Sequence, residues 1–115
     1  MSETPSIFSR IISREIPAEI LYESDSIIAI RDINPKADMH LLVIPKKEYP
    51  SVVELAEDDP ELLAQLVRVA KSLAEEHANG EFRLVFNTGE STGQTVFHVH
   101  GHVLSGSLTE GSLAL

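Results

Sequence analysis

The sequence predicts an α+β domain, a mostly antiparallel five-stranded sheet with one long and one short helix. Three observations carry that prediction. Leu62, Leu66, Val69, Ala70 and Leu73 recur at helical spacing, which marks a long amphipathic helix. On both sides of it stand short runs rich in Ile and Val, punctuated by Pro, Gly, Asn and Asp, as strands and turns require. The chain has 115 residues, the length of one compact domain with one core. We place that single domain over residues 1–115, with an ordered core from about 6 to 106 and a tail from 107 to 115.

The first element is a short helix from Ser6 to Arg14. Ser6 caps it, and Ile7, Phe8, Ile11 and Ile12 share one face. Pro17 ends it, because the residue before a proline is pushed out of the α region. Strands from Glu19 to Glu23 and from Ile27 to Ile33 follow, joined by the turn Ser24-Asp25-Ser26. Asn34-Pro35-Lys36 turns the chain into a third strand, Leu41 to Ile44, central and closed by Pro45. The long helix runs from Asp59 to Ala78, with Asp59 at the N-cap, Pro60 at the first helical position and Asn79-Gly80 as its stop. Phe82, Leu84 and Phe86 alternate with Arg83, Val85 and Asn87, which predicts a fourth strand. Gly89 to Gly93 forms a loop. Thr95 to Leu104 is the fifth strand, supported by Val96, Val99 and Val103.

Composition excludes several chemistries. Lys and Arg number 9 against 18 Asp and Glu, a net charge of -9, which argues against a nucleic acid as partner. A small anion remains open, since a local pocket can overcome a modest overall field. Without cysteine there are no disulfides, Cys-ligated zinc sites, iron–sulfur clusters or thiol nucleophiles. The start MSETPS has neither the basic nor the apolar part of a secretory signal. No run approaches eighteen apolar residues. The expectation is a cytoplasmic protein without a membrane partner.

Three of the five histidines, His98, His100 and His102, occupy alternate positions. In a strand such residues project from one face. A lone strand histidine is ordinarily a hydrogen-bonded structural residue, but a row of imidazoles packs poorly, and fold physics asks for none. Two chemistries stay open. One is a metal site, since neutral imidazole is a common zinc ligand. His98 and His102 would be roughly 13 Å apart along a strand, so one ion takes an adjacent pair and needs a third ligand, such as His40. The other is catalysis on an extended anion such as a phosphate chain, one imidazole attacking while its neighbours hold oxygens or protons. Gly89 and Gly93 let backbone N–H groups approach an anion.

At His98-Val99-His100-Gly101-His102-Val103-Leu104 the sequence resembles the His-x-His-x-His-x-x signature of the histidine triad (HIT) superfamily. Ile7-Phe8-Ser9-Arg10-Ile11-Ile12-Ser13-Arg14-Glu15-Ile16-Pro17 is similar to the N-terminal segment of its HINT branch, the purine nucleoside phosphoramidases. So are Asp32-Ile33-Asn34-Pro35, His40-Leu41-Leu42-Val43-Ile44-Pro45-Lys46-Lys47, Asn87-Thr88-Gly89 and Gly93-Gln94-Thr95. The resemblance covers about Ile7 to Gly106 in order.

The resemblance implies a HIT-like fold and a purine nucleotide substrate with an AMP-like product. It implies that His100 attacks the α-phosphorus of a nucleoside monophosphate amide or ester, giving a nucleotidyl-histidine that water cleaves. His98 and His102 would orient the nucleophile and contact phosphate oxygens, with His40 in support. Asn87, Gly93, Gln94 and Thr95 would hold the phosphate and leaving group. Asp32 would bind the ribose hydroxyls, and Phe8, Ile11, Ile16, Ile30, Arg31 and Ile33 would surround the base. For Ile11 and Ile16, core packing is an equal reading. The resemblance further implies a homodimer, no cofactor and no metal, hence full activity in chelator. A related branch hydrolyses dinucleoside polyphosphates, and a nucleotide- or zinc-binding protein without turnover is the other reading.

Three departures from the branch stand out. Its Trp-Pro-Pro-Gly tail is replaced by Thr109-Glu110-Gly111-Ser112-Leu113-Ala114-Leu115. Gly101 replaces a bulkier apolar residue, which is expected to loosen packing behind the site. Glu48 stands where a histidine is common, at a position expected on the surface. His77 reads as a favourable helix C-terminal charge.

Overall fold

A computed structural model describes residues 5–111. The expectations for the first four residues and for 112–115 of the tail lie outside the described residues. Strands β1 (Ile20–Glu23), β2 (Ile27–Arg31), β3 (Met39–Pro45), β4 (Arg83–Val85) and β5 (Gly101–Ser105) are interleaved with α1 (Ile7–Ile12), α2 (Val52–Asp58) and α3 (Pro60–His77). The sheet order is β1-β2-β3-β5-β4, and each neighbouring pair is antiparallel.

β3 lies between two partners and is buried along its whole length, which is why its sequence is nearly continuous apolar residues. Its side chains alternate between the two faces. Leu41 and Val43 pack with Ile27, Ala29 and Val103 against Leu62, Leu66, Val69, Ala70 and Leu73 of α3. Leu42 and Ile44 pack with Ile28 and Ile30 against Phe8 and Ile11 of α1. His40 is in phase with Leu42, and His102 is the cross-strand partner of Leu42. Strand alternation alone therefore puts both imidazoles on the α1 face.

Caps fix the helices. Ser6 Oγ accepts from Ser9 N at 3.0 Å, and Asp59 Oδ1 accepts from Leu62 N at 3.1 Å, each worth about 1 kcal/mol. Gly80, at φ +89°, donates its N–H to Ala74 O and stops α3 as expected.

The structure differs from the sequence reading in several places, and the second and fourth strands are shorter than expected, ending at Arg31 and Val85. Helix α2 was not foreseen. Ser51 accepts from Val53 N and its hydroxyl donates to Glu54, a capping box behind two valines that favour strand. α1 ends at Ile12, not Arg14, because Arg14 takes φ +69° and Arg10 O collects the N–H groups of Glu15 and Ile16. The chain leaves the helix before Pro17 acts.

The largest correction concerns the fifth strand, which begins at Gly101 and not at Thr95. Residues 96–98 bend, so of the triad only His102 lies on the ladder. The preceding segment is pinned by the end of β3 and the connection after it. Val99 N donates to Tyr49 O at 2.7 Å, Gln94 Nε2 to Pro50 O at 2.7 Å, and His98 Nε2 to Pro45 O at 2.7 Å. Finally, packing behind Gly101 is tight. A Cβ there would meet Leu84 Cδ1 and Phe86 Cζ at 2.9 Å.

Candidate active site

The site is a set of imidazoles whose tautomers are fixed by groups of known polarity. On β3, His40 Nδ1 accepts from Lys36 N at 2.9 Å. A backbone N–H can only donate, so the proton of neutral His40 sits on Nε2. That nitrogen lies 2.9 Å from His102 Nδ1 and donates to it. His102 therefore carries its own proton on Nε2. Asp32 braces the same corner: Oδ1 accepts from Asn34 N at 2.8 Å, and Oδ2 is 3.4 Å from His40 Nε2.

The same logic fixes the other two rings. His98 Nε2 donates to the carbonyl of Pro45, so Nδ1 is an acceptor and takes the Ser6 hydroxyl proton at 2.7 Å. His100 Nδ1 donates to His98 O at 2.9 Å, which leaves the lone pair on Nε2. His100 and His102 ring centroids are 5.2 Å apart. Phe8 of α1 lies 4.8 Å from the His100 ring and 5.9 Å, edge-on, from that of His98.

Burial holds the rings neutral. Desolvation pushes His98 and His100 below the ordinary imidazole range, against the Pro45 and His98 carbonyls respectively. His40 is lowered by the same cause, with Asp32 opposing. His102 falls to about 4, because desolvation is joined by the neighbouring His100 and His40. Near pH 7 the site thus offers a lone pair on His100 Nε2 and an N–H on His102 Nε2. That pairing suits attack at an electrophile beside a negatively charged oxygen.

Other expected residues divide. Both ring nitrogens of His98 are spent on protein groups, so it orients His100 through its carbonyl and its ring is not available to a phosphate. Gln94 is buried, its amide oxygen accepting from Gly89 N at 2.8 Å and its amide nitrogen donating to Pro50 O and Val96 O. It braces the loop. The Asn87 side chain makes no hydrogen bond with the described residues. Thr95 and Gly93 are exposed, Gly93 at φ +99°. Ile11 and Ile30 belong to the core and Ile16 packs against it. Ile33 is 89% exposed, and Arg31 pairs with Glu19 at 3.1 Å. Sequence reasoning missed Ser6 as a partner of His98 and Lys36 N as the group that fixes His40. No residue type signals a backbone donor, and Ser6 was legible only as a cap.

Asp32, His40 and His102 each offer one ligand atom, all within 4.8 Å of one another. This is the trio that could hold a metal, and it differs from the adjacent pair on one strand. An ion there would have to displace the proton that His40 shares with His102. A cleft of about 610 Å³ lies elsewhere, between Asp38, His77, Asn79, Arg83 and Ser107, and none of the triad lines it.

Neutral imidazoles of fixed tautomer, gathered on one face of an antiparallel sheet, define a histidine-triad domain. The family model described as "Scavenger mRNA decapping enzyme C-term binding" matches residues 5–114. An uncharacterized HIT-like protein of Synechocystis is 49% identical over 102 residues, 88% of this chain and 90% of its own. The purine nucleoside phosphoramidase of Escherichia coli K12 is 41% identical over 103 residues, 88% of this chain and 87% of its own. The crystal structure of a HIT family hydrolase from Legionella pneumophila superposes with a TM-score of 0.85 at 42% identity, over 90% of this chain and 95% of that one. This chain belongs to the histidine triad (HIT) family.

Proposed function

We propose that the protein hydrolyses a purine nucleoside monophosphate amide or ester at its α-phosphorus through a nucleotidyl-His100 intermediate. That it is an enzyme rests on its relatives, HIT hydrolases and a purine nucleoside phosphoramidase. The observation that carries the mechanism is the His100 Nδ1–H···O=C bond to His98, which places the lone pair on Nε2. In the first step that lone pair forms a bond to phosphorus, and the bond to the leaving amine or alcohol breaks. Water then attacks phosphorus, the P–N bond to His100 breaks, and a nucleoside monophosphate leaves. The leaving group takes up a proton from solvent as it departs in the first step, and the attacking water of the second step leaves its hydroxyl on phosphorus and releases a proton, so that one water is consumed overall. His102 Nε2–H meets the charge that builds on the phosphoryl oxygens.

Asp32 takes the ribose hydroxyls, and the uncommitted amide of Asn87, with Gly93 and Thr95, takes the phosphate and leaving group. Phe8 and Ile33 supply the surface for the base, Ile11, Ile16 and Ile30 supporting it from the core. A second copy of the chain completes a homodimer. The apolar stripe of α3 is spent on its own sheet and is not the dimer surface. The protein works in the cytoplasm; no helix among the described residues is long and apolar enough to cross a membrane.

The test is turnover of adenosine 5′-phosphoramidate and of a diadenosine polyphosphate, with EDTA present, by wild type and His100→Ala. Phosphoramidate turnover that vanishes in the variant supports the reading. Turnover mainly of the polyphosphate moves the protein to the other branch. Loss with EDTA, restored by zinc, turns attention to the Asp32, His40 and His102 trio.

A further inference from the structure

Glu48 is not on an idle surface. Its Oε1 accepts from Ser9 Oγ at 2.9 Å, lies 3.5 Å from Ser6 N, and is 3.7 Å from His98 Nδ1. The side chain is 44% exposed, yet the groups it reaches lead inward. Ser6 Oγ is 2.7 Å and Ser9 Oγ 3.5 Å from His98 Nδ1, and the two oxygens are 3.3 Å apart.

Two hydroxyls beside one acceptor nitrogen can share their protons in several ways. Each hydroxyl can donate to the other or to the ring. A carboxylate removes that freedom because it only accepts. Glu48 draws the Ser9 proton outward, and the Ser9 N–H occupies Ser6 Oγ at 3.0 Å. The Ser6 proton is then left for His98 Nδ1. The same contacts tie the first turn of α1 to the connection after β3, and that turn carries Phe8 onto the His98 and His100 rings.

We propose that Glu48 is a positioning residue for the triad: through Ser9 and Ser6 it directs a hydroxyl proton onto His98 Nδ1 and holds Phe8 against His100. The kinetic part of this proposal rests on His100 as nucleophile. The structural part does not, because it is read on a ring nitrogen without substrate.

The experiment compares wild type, Glu48→Ala, Glu48→Gln, Ser9→Ala and the Glu48→Ala/Ser9→Ala pair. It records the ¹⁵N resonances of the His98 ring together with kcat and KM for adenosine 5′-phosphoramidate. In Glu48→Ala the His98 Nδ1 resonance is expected to move toward that of an unbonded acceptor nitrogen. kcat should fall roughly tenfold, as small misplacements of reacting groups do, with KM held within about twofold. Glu48→Gln keeps an oxygen for Ser9 and should restore both. Because Glu48 and Ser9 act in one chain of bonds, the pair should cost no more than either alone.

An unmoved Nδ1 resonance in Glu48→Ala overturns the proposal whatever turnover does. Additive losses in the pair, or failure of Gln to restore, overturn it too, the last by assigning the effect to charge. A wild type that hydrolyses nothing, while Nδ1 moves as described, upholds the positioning role and removes the enzymatic reading instead.

Discussion

His40 Nε2 lies 2.9 Å from His102 Nδ1 across the β3–β5 ladder, and the Lys36 N–H behind His40 decides which ring holds the shared proton. The consequence appears on the far side of His102, where Nε2 must carry a hydrogen. An imidazole left to itself divides between two tautomers. Here a backbone amide two side chains away selects one of them, and the selected form is a donor.

His40→Ala removes that selection. kcat for adenosine 5′-phosphoramidate should fall by roughly ten- to a hundredfold, the usual effect of removing a group that orients a functional imidazole. KM should change less. An unchanged kcat, measured under saturating substrate, would show that His102 does not need a fixed tautomer.

The pH–rate profile follows from the same burial. A histidine nucleophile is active when neutral, so acid removes activity and the limb marks its protonation. Free imidazole would put the limb near 6.5, but desolvation lowers His100 and His40 and brings His102 to about 4. We expect the midpoint of the kcat/KM limb clearly below 6.5, with full activity retained at pH 7. A midpoint at or above 6.5 would contradict neutral, desolvated rings.

Stability should follow a parallel course. A group whose folded pKa is depressed binds fewer protons folded than unfolded, so stability is complete above the unfolded pKa and is lost as pH falls toward the folded one. For His102, between 6.5 and about 4, that loss is on the order of 3 kcal/mol. The melting temperature should therefore drop between pH 7.5 and 5, before the lowered carboxylates of Glu23, Glu54 and Asp58 titrate. His102→Gln should flatten the drop. Equal slopes for variant and wild type would count against a buried neutral His102.

Much of this was legible in the sequence, for physical reasons. Periodicity marked the buried face of α3, since Leu62, Leu66, Val69, Ala70 and Leu73 need only the helical repeat to be found. The five strands were bounded by Pro, Gly and Asp turns. What escaped was set by contacts between distant segments. Residues 95–100 have the composition of a strand, but Pro45, Tyr49 and Pro50 hold them in another path with side-chain and single backbone bonds. The start of α2 carries mixed signals: Ser51 and Glu54 can cap a helix, whereas Val52 and Val53 favour strand. The row of histidines is plain in the sequence; which nitrogen of each is protonated depends on Lys36, Pro45 and Ser6, and no local pattern announces that.

Gly101 gives the last test. The sequence predicts looser packing behind the triad, whereas Leu84 and Phe86 fill that space, within about 3 Å of where a Cβ would stand. Alanine there gains strand propensity yet forces neighbours to move. The Leu84 methyl is the end of a flexible chain and can give way, while the Phe86 ring is stiffer. We expect Gly101→Ala to cost about 1 kcal/mol and Gly101→Val about 1–3 kcal/mol, as overpacking does, seen as a lowered melting temperature. Because Gly101 joins His100 to His102, turnover should fall as well. Adding Phe86→Leu should recover part of the Gly101→Ala loss, since the two changes meet in one contact. A Gly101→Ala protein as stable and active as wild type would mean that the sheet yields at no cost and that the glycine is not required by its neighbours.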